Sequence, residues 1–234
     1  MAHINLEAVD TDGAVREAAD AVAGDTRLSF LRKGALAGGA AVSGGAILGA
    51  LISPALSSAA TGGVPRTFGP LKFAAGDVGI LQFALTLEYL EAAFYNEAAK
   101  NGIVKDAHTK AFLKTVVRDE NAHVAFLKKG LGSAAPKAPK FDFGKATQSE
   151  AAFTATAFVL ENTGVHAYLG QAGNIKTPKY LLDAATIVTI EARHAGAIGL
   201  ILGKPIAPSG SFDTPLSAVA VLTAVKGTKF VPGL

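Results

Sequence analysis

The chain has 234 residues, of which 50% are hydrophobic, so it is long enough for one well-buried domain with extensions. It contains no Cys, which excludes disulfides, thiolate metal sites and a thiol nucleophile. The formal net charge of +3 is small, and no basic run is interleaved with aromatic residues, so nucleic acid is not an expected partner.

The chain begins with two segments that differ from the rest. Residues 1–26 form a polar leader with six acidic residues and one Arg. Arg27, Arg32 and Lys33 then precede residues 34–65, which include no charged residue. This order of charge, apolar stretch and small residues predicts an export signal in residues 27–60. Within it, "TRLSFLRK" resembles a twin-arginine signal that has Leu28 in place of the second Arg.

Two other interpretations of this region stay open. Residues 34–53 are just long enough to span a bilayer, so they could be a retained membrane anchor. They could also be a flexible Gly/Ala linker. We expect an exported protein of the periplasm or cell envelope, either soluble after cleavage or membrane-anchored. Residues 61–76 are interpreted as a linker to the folded part.

From residue 77 onward, the spacing of apolar residues predicts four long helices and no convincing strand. Each predicted helix begins at a residue that can cap or start a helix, and each ends near a glycine or asparagine. The predicted helices run from the cap Asp77 to Asn101, from the cap Asp106 to Gly130, from Ser149 to Gly173, and from Thr177–Pro178 to Gly203.

The connections predict how these helices are arranged. The short first link makes helices one and two antiparallel neighbours, whereas residues 131–147 could reach roughly 55 Å when extended. That exceeds the length of each helix, roughly 35 to 39 Å. We therefore expect an all-α four-helix bundle in residues 77–203, with a long crossover between helices two and three. Residues 204–234 are predicted to be a loop and a short helix from Thr214–Pro215 to about Lys226.

A glutamate lies near the midpoint of every predicted long helix. In helices two and four, a histidine follows the glutamate three positions later, and residues three apart share one face of a helix. Because the midpoints of aligned helices meet at one level, four carboxylates and two imidazoles should converge. These six candidate metal ligands are Glu88, Glu120, His123, Glu161, Glu191 and His194.

Such a layer is hard to explain without metal. Four buried carboxylates would repel one another and lose hydration, or they would have to take up protons. Two divalent cations supply four positive charges against the four negative ones. Carboxylate and neutral imidazole suit iron or manganese. The donor types therefore predict two metal ions, either iron or manganese.

The two halves of the bundle also repeat each other. "LEYLEAAFY" in helix one and "LENTGVHAY" in helix three both place a tyrosine seven residues after the glutamate. Residues 73–203 resemble the ferritin-like di-metal carboxylate family. The closing "FDTPLSAVAVLTAVKG" resembles the tails of exported bacterial ferritin-like proteins, some of them associated with desiccation. The resemblance implies that the six residues ligate metal, and that Tyr95 and Tyr168 flank the site as candidate catalytic residues.

The resemblance implies three functions. The first is a di-iron oxidoreductase that reacts with dioxygen or peroxide and either oxidises ferrous iron or removes peroxide. The second is a dimanganese catalase, because the same ligands accept manganese. The third is a non-enzymatic envelope protein of stress or desiccation, with a structural metal site. A homodimer is compatible with all three.

A few polar residues remain to be assigned. Glu91, one turn after the first glutamate, either borders the site or faces solvent. Asp119 and Arg193 flank the two Glu-x-x-His motifs, either as partners of the ligands or as solvated charges. The remaining histidines are interpreted as ordinary surface residues: His3, His108 and His166.

Overall fold

The computed structural model describes residues 62–234, so the predicted leader, the export or anchor segment and His3 lie outside the described residues. The expected all-α fold is confirmed, with one small addition. A short antiparallel hairpin, β1 (Thr67–Phe68) and β2 (Leu71–Lys72), precedes the helices and was not predicted. The helices of the described part are α1 (Gly76–Asn101), α2 (Ala107–Leu131), α3 (Glu150–Ala172), α4 (Pro178–Ile201) and α5 (Ala218–Thr228).

Local sequence sets several helix ends as predicted. The side chains of Asp106 and Ser149 cap α2 and α3 by accepting a hydrogen bond from a backbone N–H of the first turn. Gly102 ends α1 in the left-handed conformation, with φ 61°, which glycine adopts without the strain that a Cβ would cause. Pro178 is the first residue of α4, where its missing N–H is not needed.

The cap predicted for α1 is wrong, whereas Thr177 is the N-cap residue of α4 as predicted. α1 begins at Gly76, before Asp77, and the side chain of Thr177 makes no capping hydrogen bond. Instead, the Asp77 carboxylate accepts hydrogen bonds from the backbone N–H of Lys176 (2.9 Å) and Thr177 (2.8 Å). From its position on α1, Asp77 therefore accepts the hydrogen bonds of backbone N–H groups at the start of α4. This contact places the starts of α1 and α4 at the same end of the bundle.

The helices form two hairpins, α1 with α2 and α3 with α4, joined by the predicted long crossover. The crossover contains two short 3₁₀ turns and follows α1 from its first turns to its last residue. α3 therefore begins where α1 ends, and it runs antiparallel to α1. Three hydrogen bonds mark the path: Gln82 Nε2 to Ala134 O (2.7 Å), Tyr89 Oη to Pro136 O (3.2 Å) and Asn101 Nδ2 to Thr147 O (3.0 Å).

The final helix begins later than predicted and lies against α3. Ser217 caps α5, rather than a start at Thr214–Pro215. The backbone N–H of Leu216 donates to His166 O over 3.0 Å. A Cβ added at Gly170 would lie only 1.7 Å from Leu216 O, so only glycine allows this approach of the two backbones.

This packing corrects the interpretation of one histidine. His166 is only 6% exposed, and its Nε2 has no hydrogen-bond partner among the described residues. Burial lowers its pKa, because a charged imidazole would lose its hydration there. The prediction of a surface residue was therefore wrong for His166, whereas His108 is exposed as expected.

By length and composition alone, α4 is the one helix of the described range that could cross a membrane. Helices inside the cores of globular proteins pass the same test. Here α4 packs against α3 and α2 in the bundle. Its middle carries Glu191 and His194, two of the predicted metal ligands.

Candidate metal centre

The predicted ligands converge in the middle of the bundle. All four midpoint glutamates are 0% exposed, and both histidines are buried beside them. In α2 and α4 the histidine lies beside the glutamate, because a residue and the one three positions later are on the same face of a helix. α1 brings Glu88, α2 brings Glu120 and His123, α3 brings Glu161, and α4 brings Glu191 and His194.

The six residues form two overlapping groups, each able to hold one ion. Within each group, one ligand atom from every residue lies within 4.8 Å of the others. Two glutamates belong to both groups and could therefore serve either ion. The groups are Glu88–Glu120–His123–Glu191 and Glu120–Glu161–Glu191–His194.

The imidazole Nδ1 atoms lie at the centre of each group. His123 Nδ1 is within 3.0 to 3.2 Å of an oxygen of each glutamate in its group, and His194 Nδ1 is 3.1 and 3.3 Å from oxygens of two glutamates in its own. The shortest distances are 3.0 Å from His123 Nδ1 to Glu191 Oε1 and 3.1 Å from His194 Nδ1 to Glu120 Oε1.

Many of these atoms are close without being aligned for hydrogen bonds. Among the described residues, six buried side-chain polar atoms lack a hydrogen-bond partner, and five of them belong to this cluster. Unpaired lone pairs that face one small space are costly unless a cation lies between them. The donor set therefore fits a pair of metal ions. The five atoms are Glu120 Oε1, Glu161 Oε2, Glu191 Oε1, Glu191 Oε2 and His194 Nδ1.

Burial and mutual repulsion control the charges when metal is absent. Burial raises the pKa of Glu88 to about 7, and burial together with the neighbouring carboxylates holds the pKa of Glu191 well above its usual range. Despite burial, contacts with His123 and His194 lower the pKa of Glu120 to about 2. Contacts with Glu120 and Glu161 overcome burial and raise the pKa of His194 to about 11. The metal-free cluster therefore retains protons, which bound cations would displace.

Two tyrosines orient two of the glutamates. Tyr168 Oη donates to Glu88 Oε1, and Tyr95 Oη donates to Glu161 Oε1. Each tyrosine thus binds the glutamate of the other half-repeat, which ties α1 to α3 at the level of the cluster. Burial, followed by the adjacent glutamate, raises the pKa of both phenols well above the usual value, so both remain donors.

Asp119 holds the outer nitrogen of one histidine. His194 Nε2 lies 3.2 Å from Asp119 Oδ2, while Nδ1 of the same ring faces the glutamates. When a metal ion displaces the proton of Nδ1, this contact would keep the remaining proton on Nε2 and leave the Nδ1 lone pair for the ion. Arg193, which flanks the second motif, is exposed, and its Nη1 donates to Thr189 O (3.0 Å), so it is a solvated charge.

The sequence left open whether Glu91 borders the cluster or faces solvent. In the structure it borders the cluster. It is 3% exposed, and burial together with repulsion from Glu191 raises its pKa well above the usual range. The sequence signal that could have assigned it is its spacing from Glu88. That spacing is the same three positions that join Glu120 to His123.

The fold and the site together define a class of protein: a four-helix bundle whose core brings together carboxylates and imidazoles that can hold two metal ions. The family model described as "Ferritin-like domain" matches residues 76–204, which cover the four long helices and more than half of the chain. The chain belongs to this family. A comparison with curated proteins gives no match.

Proposed function

We propose that the chain is an exported di-iron oxidoreductase that uses dioxygen to oxidise ferrous iron and so protects the cell under stress. The observation that carries this proposal is the pair of overlapping ligand groups that share Glu120 and Glu191. Two shared carboxylates would hold two ions close together, as a reaction that takes one electron from each ion requires. Carboxylate and imidazole donors suit iron, and four glutamates balance two ferrous ions in charge.

An apolar recess beside the cluster favours dioxygen as the reactant. It offers ≈ 20 Å³ to a water-sized molecule, enough for one small molecule. One of its lining residues is Tyr168, whose hydroxyl donates to Glu88, so a residue that contacts a candidate ligand also borders the recess. A mostly apolar lining suits dioxygen better than peroxide, which needs hydrogen-bond partners. The lining residues are Ile80, Leu81, Phe83, Ala84, Leu87, Ala167, Tyr168, Gln171, Ile175 and Ala184.

Bound iron would supply the redox chemistry: one electron from each of two ferrous ions, with two protons, would reduce dioxygen to hydrogen peroxide and leave two ferric ions. The residues of the chain hold and shield this pair. Glu88 and Glu161 each serve one group, and Tyr168 and Tyr95 keep their carboxylates in place. The complete burial of all four glutamates excludes bulk water from the centre.

The decisive experiment is metal loading of the purified protein. Anaerobic addition of Fe²⁺ should give about two iron ions per chain by elemental analysis, in line with the two ligand groups. Added dioxygen should then be consumed faster than by free Fe²⁺. The double variant Glu120→Ala/Glu191→Ala should lose both ions, because it removes both shared ligands. Glu97→Gln, on α1 but outside both groups, is the matched control.

Other outcomes would replace the proposal. A chain that binds no iron or manganese, or only zinc away from the cluster, contradicts a di-metal function. Dioxygen released from peroxide by manganese-loaded protein, without a reductant, would make the chain a catalase. Tight metal binding with neither reaction would make the metal structural.

Export is proposed from residues 27–60 alone, and the retained anchor is the other outcome of the same test. Cell fractionation should find the protein outside the cytoplasmic membrane. It should be either soluble and beginning near residue 61, or membrane-bound and full length. A full-length soluble protein in the cytosol would contradict export and leave the metal proposal intact.

A further inference from the structure

The solvent-facing side of α2 carries a row of cations. Lys110, Lys114, Arg118, Lys128 and Lys129 are all exposed. At 3.6 residues per turn, their five positions lie within about 100° of the helix circumference. The buried residues of α2 lie on its other side, where the helix packs against α1 and α4. The five cations together are called the basic face.

The two acidic residues of α2 do not neutralise the basic face. Glu120 is buried and belongs to the ligand cluster. Asp119 pairs with Arg118 at 2.6 Å and also contacts His194, so it offsets one of the five cations. The four lysines of the basic face make no ion pair within residues 62–234.

The rest of the described chain has few surface carboxylates that could compensate these cations. Four of the 22 Lys and Arg and six of the 19 Asp and Glu lie in residues 1–61, which leaves 18 against 13 in residues 62–234. Five of those 13 acids are the buried glutamates of the core. The crossover that follows α1 adds exposed Lys137 and Lys140. Several of the remaining carboxylates accept hydrogen bonds from backbone N–H groups instead: Asp77, Asp106, Asp142 and Glu150.

We propose that the basic face docks the protein on an anionic phospholipid bilayer, with α2 lying along the membrane surface. α2 has 25 residues and is therefore about 38 Å long, and its cations reach from the first turn to the last. Clusters of about four to eight Lys and Arg on a helix are typical of contacts with anionic headgroups. The positions between the cations hold Asn121 and Ala125, which are too polar or too small to insert into hydrocarbon. The contact is therefore electrostatic.

A nucleic acid fits the basic face less well than a bilayer does. The face includes no aromatic side chain on which bases could stack, and the outside of a single helix forms no groove for a polymer. Lysine ammonium groups act as point charges, so they can bind headgroups without a fixed geometry. The inference does not depend on the proposed metal chemistry, because Glu120 and His123 lie on the opposite side of the same helix.

The test is co-sedimentation of the full chain with lipid vesicles. An equal mixture of phosphatidylcholine and phosphatidylglycerol is the anionic probe, and phosphatidylcholine alone is the neutral one. Binding to the anionic vesicles should be tighter and should weaken as salt is added, because salt screens the charges. The triple variant Lys110→Gln/Lys114→Gln/Lys128→Gln should bind the anionic vesicles on the order of a hundredfold more weakly. Each lysine near an anionic surface contributes about fivefold to binding.

The matched control is Lys72→Gln/Lys176→Gln/Lys226→Gln, which removes the same charge from exposed lysines outside α2. It should weaken binding by about fivefold or less. If the two triple variants lose binding equally, the attraction follows net charge and the basic face is refuted. If wild type binds neutral and anionic vesicles equally at every salt concentration, the binding comes from another part of the chain, and the inference is overturned.

The absence of Cys allows a second measurement, the orientation of the bound protein. Ala125→Cys places a fluorophore within the basic face. Val219→Cys places it on α5, which packs against α3, and Val219 is 49% exposed. On anionic vesicles, a quencher attached to the headgroups should quench the label at position 125 more strongly than the label at 219. Equal or reversed quenching would overturn the orientation. Tighter binding to single-stranded DNA than to the anionic vesicles, at the same salt concentration, would overturn the choice of lipid.

Discussion

Replacement of Asp119 by Asn should weaken the binding of one of the two proposed metal ions and leave the binding of the other unchanged. The Asp119 carboxylate is 18% exposed and has two contacts: His194 Nε2 at 3.2 Å, and the side chain of Arg118 at 2.6 Å. Asn has nearly the same shape, so the substitution removes the negative charge and leaves the packing of α2 unchanged. The imidazole then loses the partner that fixes its proton on Nε2 and makes Nδ1 a better donor.

The magnitude follows from what Asp119 touches. Loss of a carboxylate behind a metal-binding histidine costs about 10- to 100-fold in metal affinity. That corresponds to about 1.4 to 2.7 kcal/mol. Asp119 contacts His194 alone among the candidate ligands, so the group around His123 should keep its affinity. The ion pair with Arg118 adds little, because that side chain is 72% exposed and such surface pairs contribute about 0 to 1 kcal/mol.

The sequence of the second motif strengthens this expectation. Ile190 precedes Glu191 as Asp119 precedes Glu120, so the position equivalent to Asp119 offers no carboxylate to His123. The hydrogen bonds of His123 within the described part of the chain involve Nδ1 alone. Wild-type protein should therefore bind its two ions unequally, with the tighter site at His194.

Calorimetric titration with Mn²⁺ measures both effects at once. Wild type should show two resolved binding steps, and Asp119→Asn should bring the tighter step close to the weaker one. Arg118→Ala is the control and should leave both steps unchanged. The reasoning fails if Asp119→Asn weakens both ions equally or neither, or if Arg118→Ala has the same effect.

Three further predictions concern the surroundings of the cluster. Because the pKa of Glu88 is raised to about 7 in the folded protein, the folded state holds more protons than the unfolded state at mildly acidic pH. The free energy of unfolding of metal-free protein should therefore fall as pH rises through this range, by on the order of 3 kcal/mol from this group. Urea denaturation with a chelator at about pH 5 and about pH 8 measures this free energy of unfolding. A free energy of unfolding that rises with pH would contradict the prediction. Tyr168→Phe removes the hydroxyl donor of Glu88 and should lower metal affinity about tenfold. Unchanged affinity in a thermal-shift titration would show that this hydrogen bond does not support the ligand. Gly170→Ala would place a Cβ 1.7 Å from Leu216 O and should destabilise the protein by about 1 to 3 kcal/mol or more. Chemical denaturation tests this against Gly130→Ala, where the added Cβ meets nothing within 4 Å.

Most of the fold could be predicted because helix ends depend on residues a few positions apart. Asp106, Ser149 and Gly102 act through hydrogen bonds or dihedral angles of their own helix ends. The candidate ligands follow from equally local facts, the midpoint position of each glutamate and the spacing of three to each histidine. The cap assigned to Asp77 was wrong, because its carboxylate accepts hydrogen bonds at the start of a helix about a hundred residues away.

Which side of each helix is buried depended on its neighbours and could not be read from its own sequence. α1 and α3 are apolar around most of their circumference, so their pattern does not separate the face of Glu88 from that of Glu91. His166 is buried because α5 and the segment before it return to cover α3, a contact between parts of the chain about fifty residues apart. The sequence alone therefore determined the helices and the level at which their glutamates meet. Only the tertiary structure decided that Glu91 faces the cluster and that Asp119 faces His194, because both depend on packing between helices that are distant in the chain.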